Sequence, residues 1–169
     1  ASEASAVVVS EQFEYTSLPH IVVADVHDAF AKIVTHFRPP RNNSKFLRSH
    51  RAQISESAEL ADDVHVHPFA CIGDEVTIGK GSIIHSGVCI MDGCQIGENV
   101  TLFPNVVLYE NTVVGPRCVI HAGAILGAYG FGYQTIDGEH RRAAQLGHVE
   151  LGADVEIGAG TTIDRGTYD

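Results

Sequence analysis

Residues Cys71–Leu108 read CIGDEVTIGKGSIIHSGVCIMDGCQIGENVTLFPNVVL. A large aliphatic residue stands at every sixth position of this run: Ile72, Ile78, Ile84, Ile90, Ile96, Leu102 and Leu108. Outward from it, the series extends back through Val66 and Leu60 to Ile54 and forward through Val114 and Ile120 to Leu126. Leu151, Ile157 and Ile163 resume it after an interruption. A second series lies two residues ahead of the first and holds only small or β-branched residues, among them Ala52, Val64, Ser82, Cys94, Thr112, Cys118 and Ala124, then Val149, Val155 and Thr161. Several of the large residues are followed by glycine, as at Gly73, Gly79, Gly97, Gly115, Gly152 and Gly158.

A period of six is neither the 3.6 of an amphipathic helix nor the 2 of a half-buried strand. It fits a short strand plus a turn, repeated on the successive faces of a prism, three faces to a coil and the coils stacked roughly 4.8 Å apart as parallel strands. The large residue fills the interior and the small one leaves room for it. Glycine after the large residue is expected to supply the special backbone angles of the corner. This is a hexapeptide parallel β-helix. The period does not fix its hand, but helices of this kind are left-handed, against the usual crossover preference.

The 169 residues suit one compact domain, or a domain plus part of another. A net charge of −10 argues against nucleic acid as a partner. No apolar run reaches the roughly 18 residues of a membrane span, and Ala1–Ser10 lacks the form of a signal peptide. The 4 cysteines do not make a disulfide framework. Cys94 and Cys118 lie on the small inward series, while Cys71 and Cys89 stand one above the other on neighbouring coils with parallel side chains. All are read as reduced and structural, which points to the cytoplasm.

Residues 1–50 lack the hexad. Ala6–Val9 and Ile21–Ala24 read as two short buried strands. An amphipathic helix follows, capped by Asp25, with Val26, Phe30, Ile33, Val34 and Phe37 on one face and Pro39-Pro40 ending it. Two strands and a helix cannot bury a sufficient core, so this region is expected to be the end of a larger α/β domain, and residues 51–169 the β-helix. Between them Arg38, Arg41, Lys45, Arg48 and Arg51 form the one clear basic stretch, either a solvated connection or a landing strip for an acidic partner. The chain stops at Asp169 in mid-coil without a cap, so the natural protein is expected to continue.

The repeat breaks for residues 127–148, nearly twenty more than one face needs, and long excursions from a regular scaffold are usually functional. Gly127, Gly130 and Gly132 permit tight turns; Tyr129, Phe131 and Tyr133 give aromatic surface; Arg141 and Arg142 add positive charge, with His140 and His148 flanking them. No dinucleotide or phosphate-loop fingerprint is present. His67, His85 and His121 share one position of the hexad with Phe103 between the last two, which reads as an outward stacking column rather than a metal site within one chain. Zinc held between subunits stays open. No catalytic triad can be picked out by spacing.

Further motifs carry a family resemblance. Ile120-His121-Ala122-Gly123-Ala124 leads into Gly127-Ala128-Tyr129-Gly130-Phe131-Gly132-Tyr133; then come Gln145-Leu146-Gly147, Val155-Glu156-Ile157-Gly158-Ala159 and Thr161-Thr162-Ile163-Asp164-Arg165-Gly166. In order and spacing these resemble the UDP-3-O-acylglucosamine N-acyltransferases of lipid A synthesis. Residues 1–50 resemble the end of that family's uridine-binding domain. The resemblance implies transfer of a 3-hydroxyacyl group from acyl carrier protein to the 2-amine of UDP-3-O-acylglucosamine, with no cofactor and no metal. It also implies active sites between the subunits of a homotrimer and a cytoplasmic location in a Gram-negative bacterium, peripheral to the inner membrane. Gly130, Phe131, Gly132 and Tyr133 are expected near the acceptor, Arg141 and Arg142 at phosphate or carrier, and Asp164 and Arg165 in support of the next coil.

The family's catalytic histidine belongs to an I-A-H segment about twenty residues beyond D-R-G, past Asp169, so no catalytic residue is assigned here and this chain alone is expected to be inactive. Arg142-Ala143-Ala144-Gln145 also departs from the family's usual K-I-P-Q. The alternatives are another hexapeptide-repeat sugar-nucleotide acyltransferase and a non-catalytic structural β-helix. A carbonic-anhydrase-like site lacks its H-x4-H pair, and an ice-binding face would want a regular threonine ladder.

Overall fold

The computed structural model describes residues 3–13, 17–39 and 47–168. The chain divides into two compact units, Ala1–Asn43 and Ser44–Asp169. Of the basic stretch, Arg41 and Lys45 lie outside the described residues, as does Pro40.

In the first unit Val7–Ser10 pairs in parallel with His20–Val23. Helix α1 (Val26–Phe37) is capped by the Asp25 side chain, which accepts from the Asp28 amide at 3.0 Å. The expected burial of both strands is not found: only Val9 is buried, and Ile21 and Val22 are more than half exposed. No residue of α1 is buried, and Phe30 is 60% exposed. A two-stranded ribbon with one helix offers too little surface to cover its own apolar face. Arg38, read as part of the basic stretch, closes the helix with its backbone amide on the Val34 carbonyl at 2.7 Å.

The second unit is a three-sided parallel prism. One face stacks Glu59–Leu60, Thr77–Ile78, Gln95–Ile96, Val113–Val114 and Glu150–Leu151; the second begins at His65–Val66 and the third at Gln53–Ile54. Register advances by eighteen, as Cys71 pairs with Cys89 and Cys89 with Val107. The large residues from Val66 to Leu126 are buried, and Val64, Val100, Cys118 and Ala124 of the small series are fully enclosed. Polar members of that series are satisfied inside: Ser82 Oγ donates to the Gly97 carbonyl at 3.0 Å and Thr112 Oγ1 to the Tyr109 carbonyl at 2.7 Å. All four cysteines are free thiols. Burial raises the Cys94 thiol to about 11 and, with Cys71 beside it, pushes Cys89 up, so these thiols stay protonated and inert near neutrality.

The corner is built differently from the sequence expectation. The left-handed backbone falls three residues after the large residue, not one: Gly81 and Gly87 adopt φ 70° and 73°, and Asn99, Asn105 and Asn111 take the same turn with φ 55–62°. Asparagine tolerates this conformation better than most residues. Gly73, Gly79, Gly97 and Gly115, directly after the large residue, lie outside the left-handed region and serve close approach instead, while Gly127, after Leu126, is left-handed with φ 83°. A Cβ on Gly97 would meet Pro116 N at 2.7 Å and the Gly115 carbonyl carbon at 2.9 Å. Gly79, Gly97, Gly115 and Gly152 thus stack at one corner, where the backbones of successive coils nearly touch.

A second corner carries the aromatic column. His67 and His85 lie 4.7 Å apart, His85 and Phe103 5.1 Å and parallel, Phe103 and His121 5.1 Å and parallel. His121 Nε2 is 2.8 Å from Glu156 Oε1 on the coil beyond. No group of three metal-ligating side chains occurs among the described residues. The first coils are closed by Arg48, whose Nη2 donates to the Leu60 and Ala61 carbonyls at 3.1 and 2.8 Å, while Arg51 lies over the Phe69 ring. Both arginines are therefore engaged in the fold.

The two kinds of glycine separate by mutation. Gly97→Ala, which drives a methyl into backbone, should destabilise by ~3 kcal/mol. Gly123→Ala, where φ is 73° and nothing lies within 4 Å of an added Cβ, should cost about 1 kcal/mol of left-handed strain. Urea unfolding of both variants checks the order, and equal losses would mean that close approach does not matter. The column gives a pH prediction. Burial first, then the charge of His67, holds His85 below the ordinary imidazole value of 6.5. The unfolded chain therefore binds more protons than the native one in mild acid, and stability falls as pH drops below about 6.5. His85→Phe, which keeps the stack, should lessen the loss of unfolding midpoint between about pH 7 and pH 5.

Candidate functional site

The excursion from the repeat begins as an extension of the third prism face, Ile125–Ala128, and then leaves it. Tyr133–Ile136 and Glu139–Arg142 form an antiparallel hairpin, pairing Tyr133 with Arg142 and Gln134 with Arg141. Asp137-Gly138, both at positive φ, makes its tip, as a two-residue Asp-Gly turn favours. The chain rejoins the prism in spatial register. Val114 pairs with Leu151, where an unbroken repeat would have put Gly132, and Ile120 pairs with Ile157.

Three separated motifs meet at the root of this loop. The Gln145 side chain forms a two-point clamp on Gly130: its Oε1 accepts from the Gly130 amide at 2.7 Å, and its Nε2 donates to the Gly130 carbonyl at 3.1 Å. The clamp excludes side chains beneath it. A Cβ on Gly132 would lie 2.9 Å from Gln145 Nε2, and one on Gly130 would lie 3.2 Å from Asp164 Oδ2. Ala143 extends the pairing with its amide on the Gly132 carbonyl at 2.9 Å.

Arg165 closes the other side. Its guanidinium donates through Nε to the Gly127 carbonyl at 2.8 Å and through Nη2 to Glu110 Oε2 at 2.7 Å, and its backbone amide donates to the Ala128 carbonyl at 2.8 Å. Its side chain is only 7% exposed. The same guanidinium packs over the Tyr129 ring at 4.3 Å, and that of Arg142 packs over Tyr129 at 4.2 Å, so both cations stack on one ring. Tyr109 meets Tyr129 edge-on at 6.4 Å.

The residues singled out by sequence divide accordingly. Gly130 and Gly132 form the clamped root. Phe131 and Tyr133 stand outside it with rings 5.1 Å apart, Phe131 93% exposed. Arg142 lies beside Tyr129, whereas Arg141 faces solvent with a loose 3.6 Å contact to Glu139. His140 Nδ1 is 3.1 Å from Thr135 Oγ1 across the hairpin, and His148 is exposed outside the convergence. Arg165 bonds to the coil before it, at the Gly127 carbonyl and the Glu110 carboxylate. Glu110 was missed altogether; nothing in its hexad position marks it out from other outward acids.

Residues 57–92 and 93–128 each match the bacterial transferase hexapeptide (six repeats) family, whose architecture is the left-handed parallel β-helix. The chain is 47% identical over 168 residues to a UDP-3-O-acylglucosamine N-acyltransferase of Rhodopirellula baltica, with 99% of this chain and 43% of that protein covered. A protein of the same name from Aromatoleum aromaticum is 47% identical over 171 residues, covering 100% of this chain and 50% of that one. The crystal structure of a mutant GDP-perosamine N-acetyl transferase from Caulobacter crescentus aligns with a TM-score of 0.43 at 23% identity, over 72% of this chain and 49% of that one. The chain spans about half the length of the curated relatives it matches. Identity of 47% over nearly the whole chain, together with the hexapeptide matches, places the chain in the UDP-3-O-acylglucosamine N-acyltransferase family of hexapeptide-repeat proteins.

Proposed function

We propose that the protein containing this chain moves a 3-hydroxyacyl group from an acyl carrier protein thioester to the 2-amine of UDP-3-O-acylglucosamine. One observation carries the reading: the G-F-G-Y, Q-x-G and D-R-G segments, far apart in sequence, converge on a single braced loop through Gln145 and Arg165. In the reaction the amine nitrogen attacks the thioester carbonyl, a C–N bond forms and the C–S bond breaks. The amine proton passes to a base, and sulfur leaves as the carrier thiol.

In this reading Phe131 and Tyr133 supply apolar surface beside the acceptor, Gly130 and Gly132 hold the backbone there, and Arg141 and Arg142 meet phosphate or the acidic carrier protein. The first unit is the end of a uridine-binding domain, and the exposed apolar face of α1 fits a domain with further layers. The active protein is a cytoplasmic homotrimer with sites between subunits. The base is not assigned within this chain. His121 has a carboxylate partner in Glu156 but stands in the stacked corner column, with Phe103 against its ring, and column packing accounts for its position.

The test is the full protein with 3-hydroxyacyl carrier protein and UDP-3-O-acylglucosamine, its product followed by mass spectrometry. The expected product carries a new amide at the 2-amine. Acylation only of other sugar nucleotides, or no transfer at all, would sink the proposal. His121→Phe, which preserves the column, should keep kcat/KM within about 2-fold of the unaltered protein, whereas loss of a general base typically costs about 100-fold or more.

A further inference from the structure

Arg165 meets the loop at the Gly127 and Ala128 carbonyls and the Tyr129 ring, and the arrangement around it has an electrostatic peculiarity. Two guanidiniums stack on the Tyr129 ring, at 4.2 and 4.3 Å. Like charges on one ring repel, and the ring's attraction for a second cation is weakened by the first. Glu110 removes the conflict by pairing with Arg165 at 2.7 Å, in a site where the arginine side chain is 7% exposed. Arg165 is thereby neutralised and buried, and Arg142 keeps its full charge. Among the described residues Arg142 forms no ion pair. Its guanidinium is held by Tyr129 and carries an unmatched charge at the edge of the loop.

We propose that Arg165 is a positioning residue. Paired with Glu110 and bonded to the Gly127 carbonyl, it fixes Tyr129, and through Tyr129 it sets Arg142 to bind a phosphate-bearing ligand. This rests on the sugar-nucleotide reading above for the class of ligand. The contacts require a planar fork: Nε bonds Gly127, Nη2 bonds Glu110, and the flat face packs on the ring. A lysine ammonium, a single point of charge, cannot make all three.

The test uses the full protein and five variants, with two readouts. Hydrogen exchange by mass spectrometry follows residues 127–133 and 139–142 against the prism residues 64–126. Calorimetry follows the affinity for UDP, the phosphate-bearing probe. Arg165→Lys should speed exchange in the loop and hairpin root while the prism keeps its protection, and should weaken UDP binding by about 5-fold. Arg142→Ala should weaken UDP by about 10-fold, the effect of one charge-assisted contact, with loop exchange unchanged. Tyr129→Leu should reproduce Arg165→Lys in both readouts, and Tyr129→Phe, which keeps the ring, should restore them. Glu110→Gln, which leaves the buried Arg165 without its carboxylate, should loosen the loop as Arg165→Lys does and weaken UDP with it.

Unchanged loop exchange in Arg165→Lys overturns the proposal, and so does a loss of protection spread through the prism. Loosened loops with UDP affinity untouched, or no UDP binding by the unaltered protein, overturn its ligand half. If UDP binds and the variants behave as stated but no acyl group is transferred, the reaction proposed above falls and the positioning role stands.

Discussion

The distance between stacked parallel strands, roughly 4.8 Å, governs everything else in the prism. Each residue sits directly over the residue one coil away, so side chains meet copies of their own position. Inward, this forces alternation of large and small residues, because two large series on converging faces would collide within so narrow a triangle. At the corners it forces three different solutions. Glycines pack backbone on backbone where Gly97 lies under Gly115 and Pro116. Flat rings stack from His67 to His121. Between these, residues with left-handed backbone turn the chain while their amides donate to the neighbouring coil, as Asn99 does to the Lys80 carbonyl at 2.8 Å and Asn111 to the Asp92 carbonyl at 3.0 Å.

A scaffold so regular tolerates a long excursion because its register is held locally on either side. After the loop, Leu151 finds Val114 and Ile157 finds Ile120 through the same amide-to-carbonyl ladder as every other coil. The loop has few internal apolar contacts, with Phe131 and Leu146 largely exposed. Its order comes from a clamp across its own root, Gln145 on Gly130, and from a bond to the scaffold, Arg165 on Gly127. Both substitute for a strand partner, since each satisfies backbone groups that the loop withdraws from the sheet. The loop is thus fixed at its root and open at its tip.

How far the sequence discloses this follows from the range of each interaction. The prism was legible because its determinant repeats: the type of residue at Ile72, Ile90 and Leu108 announces the face, and the column His67, His85, Phe103, His121 follows from arithmetic. The corner glycines were legible as markers but misread in mechanism, since sequence gives identity and not φ, and steric approach to the next coil demands glycine as firmly as a left-handed turn does. The strands Val7–Ser10 and His20–Val23 looked buried because their composition is apolar, yet burial depends on layers that a ribbon and one helix cannot supply. The Gly130–Tyr133 loop could be picked out as an interruption. Its bracing could not: Arg165 reaches 38 residues back to Gly127 and 55 back to Glu110, separations that belong to no period in the chain.

Those two reaches explain why an arginine occupies this position. In a protein with net charge −10, outward carboxylates are common, and a buried cation can be matched by one already present on the preceding coil. The desolvation of Arg165 is offset by the Glu110 carboxylate, the Gly127 carbonyl and the face of Tyr129 together. Removing any one would leave charge or carbonyl unmatched at the root of the loop. The same economy leaves Arg142, among the described residues, as a cation without a carboxylate, across the hairpin from Tyr133. Charge and apolar surface therefore lie together at the point where the regular helix is interrupted, and both are supplied by residues that the repeat itself does not need.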